Sequence, residues 1–194
     1  MYILNTNFDE DIKQCISVLR SGGTILYPTD TIWGIGCDAT NENAVRRIFE
    51  IKQRADSKSL ILLADSISQI DDYVEEIPAI AYDLIEIADK PLTIIFASAK
   101  NLAKSVVAAD GSVGFRVPKD DFCMQLCKKF RAPVVSTSAN ISGEKSPGCF
   151  AEISETIRQS VDYIVRFRQS DRTISVPSSI IKLGKNAEFQ IIRK

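Results

Sequence analysis

The chain alternates segments of helical hydrophobic period with short, strongly apolar runs, and this alternation constrains its architecture more than any single motif. Residues 9 to 21 place Ile12, Cys15, Ile16 and Leu19 on one face and stop at Gly22 and Gly23, the pattern of an amphipathic helix with a glycine terminus. The run TILYP that follows predicts a buried strand. After a polar, glycine-bearing loop, Asn41 is placed to cap a second helix, in which Val45, Ile48 and Phe49 form the buried stripe and which ends near Lys52. SLILLA predicts a strand, residues 79 to 88 a helix, LTIIFA and SVGFRV two strands, DDFCMQLCKKF a helix and PVVSTS a strand. Such alternation favours an α/β layer architecture with crossover helices. The tail departs from it, because DYIVRF, SSIIKL and FQIIR are strand candidates with little helix between the last two, so part of the sheet is antiparallel. With 194 residues, 45% of them hydrophobic, there is material for one core. The expectation is an α/β fold: one mixed, twisted sheet with flanking helices in a single domain over residues 1–194.

Composition narrows the chemistry. The chain has no histidine, which excludes a Ser-His-Asp triad, a Cys-His pair, H-E-x-x-H zinc chemistry and any imidazole base. Five cysteines form no C-x-x-C pair and read as reduced thiols, with Cys123 and Cys127, one helical turn apart, as buried neighbours on a helix face rather than metal ligands. The net charge of −1 divides into −8 over residues 59 to 89 and +7 elsewhere. The acids there, such as Asp71, Asp72, Glu75 and Glu76, read as a solvated face, while the basic remainder suits an anionic ligand or nucleic acid. No stretch reads as a signal peptide or membrane span, so the expectation is a soluble, cytoplasmic protein.

Four polar clusters interrupt the apolar pattern. YPTDTIWGIG, residues 27 to 36, puts hydroxyls, an acid, Trp33 and two glycines at a strand's carboxyl end, where α/β sheets bind ligands; a tight turn anchored by Trp33 has the same composition. In KQRADSK, Lys52, Arg54 and Lys58 leave a helix end, suiting either a polyphosphate or the helix dipole. Arg116 in GSVGFRVP sits inside an apolar strand and faces either solvent or a cleft, where it pairs well with a carboxylate. STSANISG, residues 136 to 143, ends a strand in hydroxyls and an amide. Together the clusters describe a basic, anion-binding cleft at the sheet edge, without a Walker A loop or a G-x-G-x-x-G pattern.

These segments resemble the YrdC/TsaC/Sua5 family of threonylcarbamoyl-AMP synthases. PTDTIWGIG is similar to its threonine-site segment, Lys52-Gln53-Arg54 to its K-x-R motif, FRVP to its R-x-P motif, STSANISG to its S-x-N signature, and SVPSSIIKL, residues 175 to 183, to its closing segment. The length resembles the short TsaC form. Ala55 and Ser59 stand where members usually carry proline, Asp89-Lys90-Pro91-Leu92-Thr93 replaces P-G-P-L-T, and Ser178-Ser179 replaces Ser-Thr.

The resemblance implies a YrdC-like domain that condenses L-threonine with bicarbonate and ATP to threonylcarbamoyl-AMP and pyrophosphate, for a tRNA modification. It assigns Lys52, Arg54, Lys58, Ser112, Ser138, Asn140, Ser146 and Arg193 to ATP, with Lys52 and Arg54 as the catalytic cations. Thr31, Arg116, Ser136 and Ser178 fall to threonine. Mg²⁺ is expected with ATP rather than on a dedicated carboxylate set, and downstream threonylcarbamoyl-transfer proteins are expected partners. Two other readings stay open: a module that binds tRNA or double-stranded RNA through its basic surface, and a YciO-like paralogue with weak or no synthase activity. The retained S-A-N of residues 138 to 140 weighs against the second.

Overall fold

The computed structural model describes residues 8–53, 60–173, 177–184 and 188–193. Helix α1 (Asp9–Arg20) starts with three acids, which suit the positive end of the helix dipole, and buries Ile12, Cys15 and Leu19. The hairpin β1 (Ile25–Tyr27) and β2 (Gly34–Gly36) precedes α2 (Glu42–Lys52), which Asn41 caps by accepting from the amides of Asn43 and Ala44. Then follow β3 (Ile61–Leu63), α3 (Ile67–Asp71), α4 (Ile80–Ile87), β4 (Leu92–Phe96) and β5 (Val113–Arg116). After α5 (Asp121–Phe130), capped by Asp120, come β6 (Val134–Ser138), α6 (Glu155–Ser160), β7 (Tyr163–Ile164), β8 (Ser179–Leu183) and β9 (Phe189–Arg193).

The strands form a nine-stranded sheet among the described residues, in the order β7-β1-β2-β6-β3-β5-β4-β8-β9. Pairs β1–β7, β3–β5 and β4–β8 are parallel and the rest antiparallel, so the sheet is mixed as expected. Antiparallel pairing is not confined to the tail, however. It runs through the centre, because β6 returns between β2 and β3.

Side-chain alternation decides what each face carries. Leu26, Ile35, Leu62, Ile94, Phe115 and Val135 point to a face covered by α2, α3 and α4, where they join Val45, Ile48 and Ile70 in the larger core. Ile25, Tyr27, Leu63 and Val134 point the other way and meet α1 and α5 through Ile12, Leu19, Phe122 and Leu126. Those two helices leave part of that second face uncovered. Along the same strands, Ile61 lies two residues from Leu63 and Ser136 two residues from Val134, and both line a cavity instead of a helix. The cleft therefore lies on the sheet's face, beside the α1/α5 layer, and not at the sheet edge where the strand-end clusters place it.

The segment GIG of residues 34 to 36 reads as loop but forms β2. Its strand character comes from its neighbours: a Cβ at Gly36 would lie 2.5 Å from the carbonyl oxygen of Val135 and 2.7 Å from Tyr27. Only glycine lets β2 slip between β1 and β6 there. Cys123 and Cys127 are buried in the α1/α5 layer, and burial pushes both thiols up. No group of three or more potential metal ligands occurs among the described residues. Nor is any described helix long and apolar enough to cross a membrane.

Candidate active site

The cavity has a volume of about 300 Å³ and is floored by alternate residues of the central strands. The register sets Thr93 against Arg116, and Ile95, Gly114, Ile61 and Ser136 in a row across β4, β5, β3 and β6. Gly114 keeps the middle of this floor low. A Cβ there would make only ordinary contacts, 3.6 Å from Thr93 and 3.7 Å from Ile95, so the local packing does not demand glycine, and the missing side chain is open cavity instead. Trp33 forms a wall. It is buried, with its ring 4.9 Å from that of Phe150, and it both anchors the turn and lines the cleft.

Strand β5 is buried along its whole length, so Arg116 has no solvent-facing option. Its side chain is 4% exposed and lines the cavity. One terminal nitrogen lies 3.3 Å from Asp30 Oδ1 and the other donates to Thr31 Oγ1 at 3.1 Å, while Nε has no hydrogen-bond partner. Thr31 in turn exchanges a hydroxyl hydrogen bond with Thr29 at 2.9 Å, and Thr29 donates to the carbonyl of Ile32. The turn after β1 is thus a chain of hydroxyls that ends on the guanidinium.

A second arginine arrives from the other end of the chain. Arg193, on β9, lines the cavity and donates through Nε to the carbonyl of Ser178 at 2.9 Å. Burial, and then the nearby Arg116 guanidinium, lower its pKa from the ordinary arginine value, and it stays a cation at neutral pH. Ser178 Oγ shares a 2.8 Å hydrogen bond with Thr93 Oγ1. Ser112 is held by Asp110, which accepts from both its amide and its hydroxyl. The cavity lining among the described residues contains two guanidiniums, many hydroxyls and no carboxylate, a composition that binds anions.

Of the residues singled out in the sequence, Thr31, Ser112, Arg116, Ser136, Ser138, Ser146, Ser178 and Arg193 all line this one cavity. They come from six separate segments of the chain. Arg54 and Lys58 lie outside the described residues. Asn140 and Lys52 are not among the residues that line the cavity. Asn140 donates to the carbonyls of Ile141 and Glu144 and keeps a buried Oδ1 without a partner. Lys52, 2% exposed, donates to the carbonyls of Ser138 at 2.6 Å and Asn140 at 2.8 Å. Sequence reasoning missed Thr93 and Gly114 as parts of the site and gave Asp30, the acid of the first cluster, no partner. Thr93 was within reach, since it closes the Asp89–Thr93 segment already aligned with the family.

Comparisons with known proteins identify the family. The family model for Sua5, YciO and YrdC proteins, described as telomere recombination, matches residues 17–194. Threonylcarbamoyl-AMP synthase of Pseudoalteromonas translucida is 36% identical over 157 residues, covering 79% of this chain and 84% of its own. The enzyme of the same name from Psychromonas ingrahamii is 38% identical over 135 residues, 68% of this chain and 71% of its own. Among solved structures, P. abyssi Sua5 complexed with L-threonine matches at a TM-score of 0.80 and 27% identity, over 90% of this chain and 51% of that one. The chain spans about half the length of that Sua5 chain. The fold of E. coli YciO also matches, at a TM-score of 0.81 and 24% identity over 95% of this chain and 89% of that one. With the family model spanning nearly all of its length, and relatives at 36% and 38% identity over most of it, the chain belongs to the Sua5/YciO/YrdC family.

Proposed function

We propose that this protein is an L-threonylcarbamoyladenylate synthase, a nucleotidyltransferase that joins L-threonine, bicarbonate and the AMP part of ATP and releases pyrophosphate and water. The observation that carries the reading is the convergence of eight residues singled out in the sequence on one cavity whose lining, among the described residues, has two arginines and no acid. The relatives named threonylcarbamoyl-AMP synthase support the reaction, and the Sua5 complex with L-threonine supports the amino acid.

The amino acid occupies the end of the cleft near Thr31, Arg116, Ser136 and Ser178. Arg116 takes its carboxylate, because a guanidinium offers two parallel donors to two oxygens. Threonine's amino group adds to bicarbonate and water leaves, giving a carbamate. An oxygen of the carbamate then attacks the α-phosphorus of ATP, and the bond to pyrophosphate breaks. This sequence calls for alignment and charge neutralisation more than for a strong base, which suits a chain without histidine. Ser112, Ser138, Asn140, Ser146 and Arg193, with Arg54 and Lys58, hold the nucleotide. Mg²⁺ would enter with the phosphates of its ATP substrate; no group of three or more potential metal ligands occurs among the described residues. The product is a mixed anhydride that a separate transferase consumes in tRNA modification.

The test is product analysis by mass spectrometry after incubation with ATP, Mg²⁺, bicarbonate and a mixture of amino acids. Threonylcarbamoyl-AMP and pyrophosphate, both dependent on bicarbonate and threonine, are the expected result. Absence of any aminoacyl-carbamoyl adenylate with all substrates supplied refutes the reading.

A further inference from the structure

The K-x-R lysine sits at a place that decides what it does. Lys52 ends α2, and the chain turns there through Gln53 in the left-handed conformation, at φ 49°. Its ammonium lies inside the protein and donates to the carbonyls of Ser138 and Asn140, while its own carbonyl accepts from the amide of Ser142 at 2.9 Å. One residue therefore grips the loop after β6 at three successive alternate positions: 138, 140 and 142. From inside, Asn140 ties the same loop to itself through Ile141 and Glu144. The cavity is lined by Ser136, Thr137 and Ser138 at the end of β6 and by Ser146 beyond this loop, whereas Lys52 does not line it.

A buried ammonium committed to two carbonyls is costly to withdraw, since both its charge and the two oxygens then lose their partners. We propose that Lys52 is a positioning residue, which fixes the shape of the loop of residues 138–142 and through it the nucleotide groups of the cleft, and not a cation that meets the reacting atoms. The proposal rests on the reading that this cleft takes ATP. It separates the two cations of the K-x-R segment: the charge at the α-phosphate then falls to other groups, and Lys52 acts on affinity for the nucleotide by holding Ser138 and Asn140.

Lys52→Met keeps the length of the stem and removes the ammonium. Three readouts separate the roles. Amide hydrogen exchange of the substrate-free variant should rise by roughly tenfold or more at Ser142 and its neighbours, because the loop's grip is lost. The KM for ATP should rise by about tenfold or more while kcat at saturating ATP and the KM for threonine stay within about threefold, the pattern of lost ground-state binding. In the unmodified protein, the ¹⁵N-labelled Lys52 ammonium should be protected from solvent exchange and should show no scalar coupling to phosphorus on addition of a non-hydrolysable ATP analogue. This last measurement needs no variant, so it decides even where Lys52→Met does not fold. Unchanged loop exchange together with a collapse of kcat at saturating substrates, or a nitrogen–phosphorus coupling in the analogue complex, overturns the proposal. The exchange data are independent of turnover, and adenylate formation by the unmodified protein tests the reading beneath it separately.

Discussion

Replacing Gly114 by valine is expected to leave the protein as stable as before, or more so, while emptying its cleft of function. The added Cβ falls 3.6 Å from Thr93 Cγ2, 3.7 Å from Ile95 Cγ1 and 4.0 Å from the carbonyl of Leu60, all ordinary contacts. A β-branched residue in a central strand gains up to about 1 kcal/mol over glycine from strand preference and reduced chain entropy. Its methyl groups, however, rise into the floor of a cavity of only about 300 Å³. A ligand forced to share that space meets an overpacking cost of roughly 1–3 kcal/mol, or about 5- to 150-fold in affinity. Thermal melting, with calorimetry for threonine and for a non-hydrolysable ATP analogue, measures both sides. Gly36→Ala serves as the contrast, because its Cβ would lie 2.5 Å from a backbone carbonyl and is expected to lower the melting temperature clearly. If Gly114→Val binds both ligands normally, the cavity floor is not the ligand site. If it melts well below the unmodified protein, the account of Gly114 as open floor fails.

Arg116→Lys retains the charge but loses the paired donors, so the Michaelis constant for threonine should rise by roughly 10- to 150-fold, from about 1.5–3 kcal/mol of lost charge-assisted bonding, and that for ATP much less; equal kinetics to the unmodified protein would remove Arg116 from the carboxylate. Thr31→Val takes a hydroxyl from both Thr29 and Arg116, so calorimetry should show threonine weakened by about 1–3 kcal/mol and ATP largely spared. Asp110 is held well below its ordinary 3.8 by hydrogen bonds from Lys182 and from Ser112. A depressed folded-state pKa contributes stability that is present above the unfolded value and lost as pH falls through the folded one, so Asp110→Asn should flatten the acid limb of stability below about pH 4, and an unaltered limb would refute the assignment. Burial pushes the thiols of Cys15, Cys37, Cys123 and Cys127 up, so iodoacetamide at about pH 8 should modify them only after denaturation, as peptide mass spectrometry can show.

Much of the architecture is written locally. Asn41 before an amphipathic stripe, Asp120 before DFCMQLCKKF, and apolar runs such as LTIIF and VGFR are signals that neighbouring residues carry among themselves, and α2, α5, β4 and β5 form where those signals stand. The residues of the cleft were legible for the same reason: hydroxyls, amides and arginines at the ends of apolar runs are conspicuous by type. What those types do was decided by contacts between distant segments. Arg116 faces the cleft because β3 and β4 bury the strand on both sides, and Asp30 and Thr31, brought in from the turn after β1, take up its guanidinium. Gly34-Ile35-Gly36 becomes a strand only because Tyr27 and Val135 crowd it from either side. Lys52 reads as a cation at a helix end, suited to a phosphate, until the end of β6 and the loop after it place two carbonyls within 2.8 Å of its ammonium. Residue type and spacing determined which elements form and which chemistry is present; burial and partner choice, which depend on residues 85 to 88 positions apart in the chain, determined which groups line the cleft and which do not.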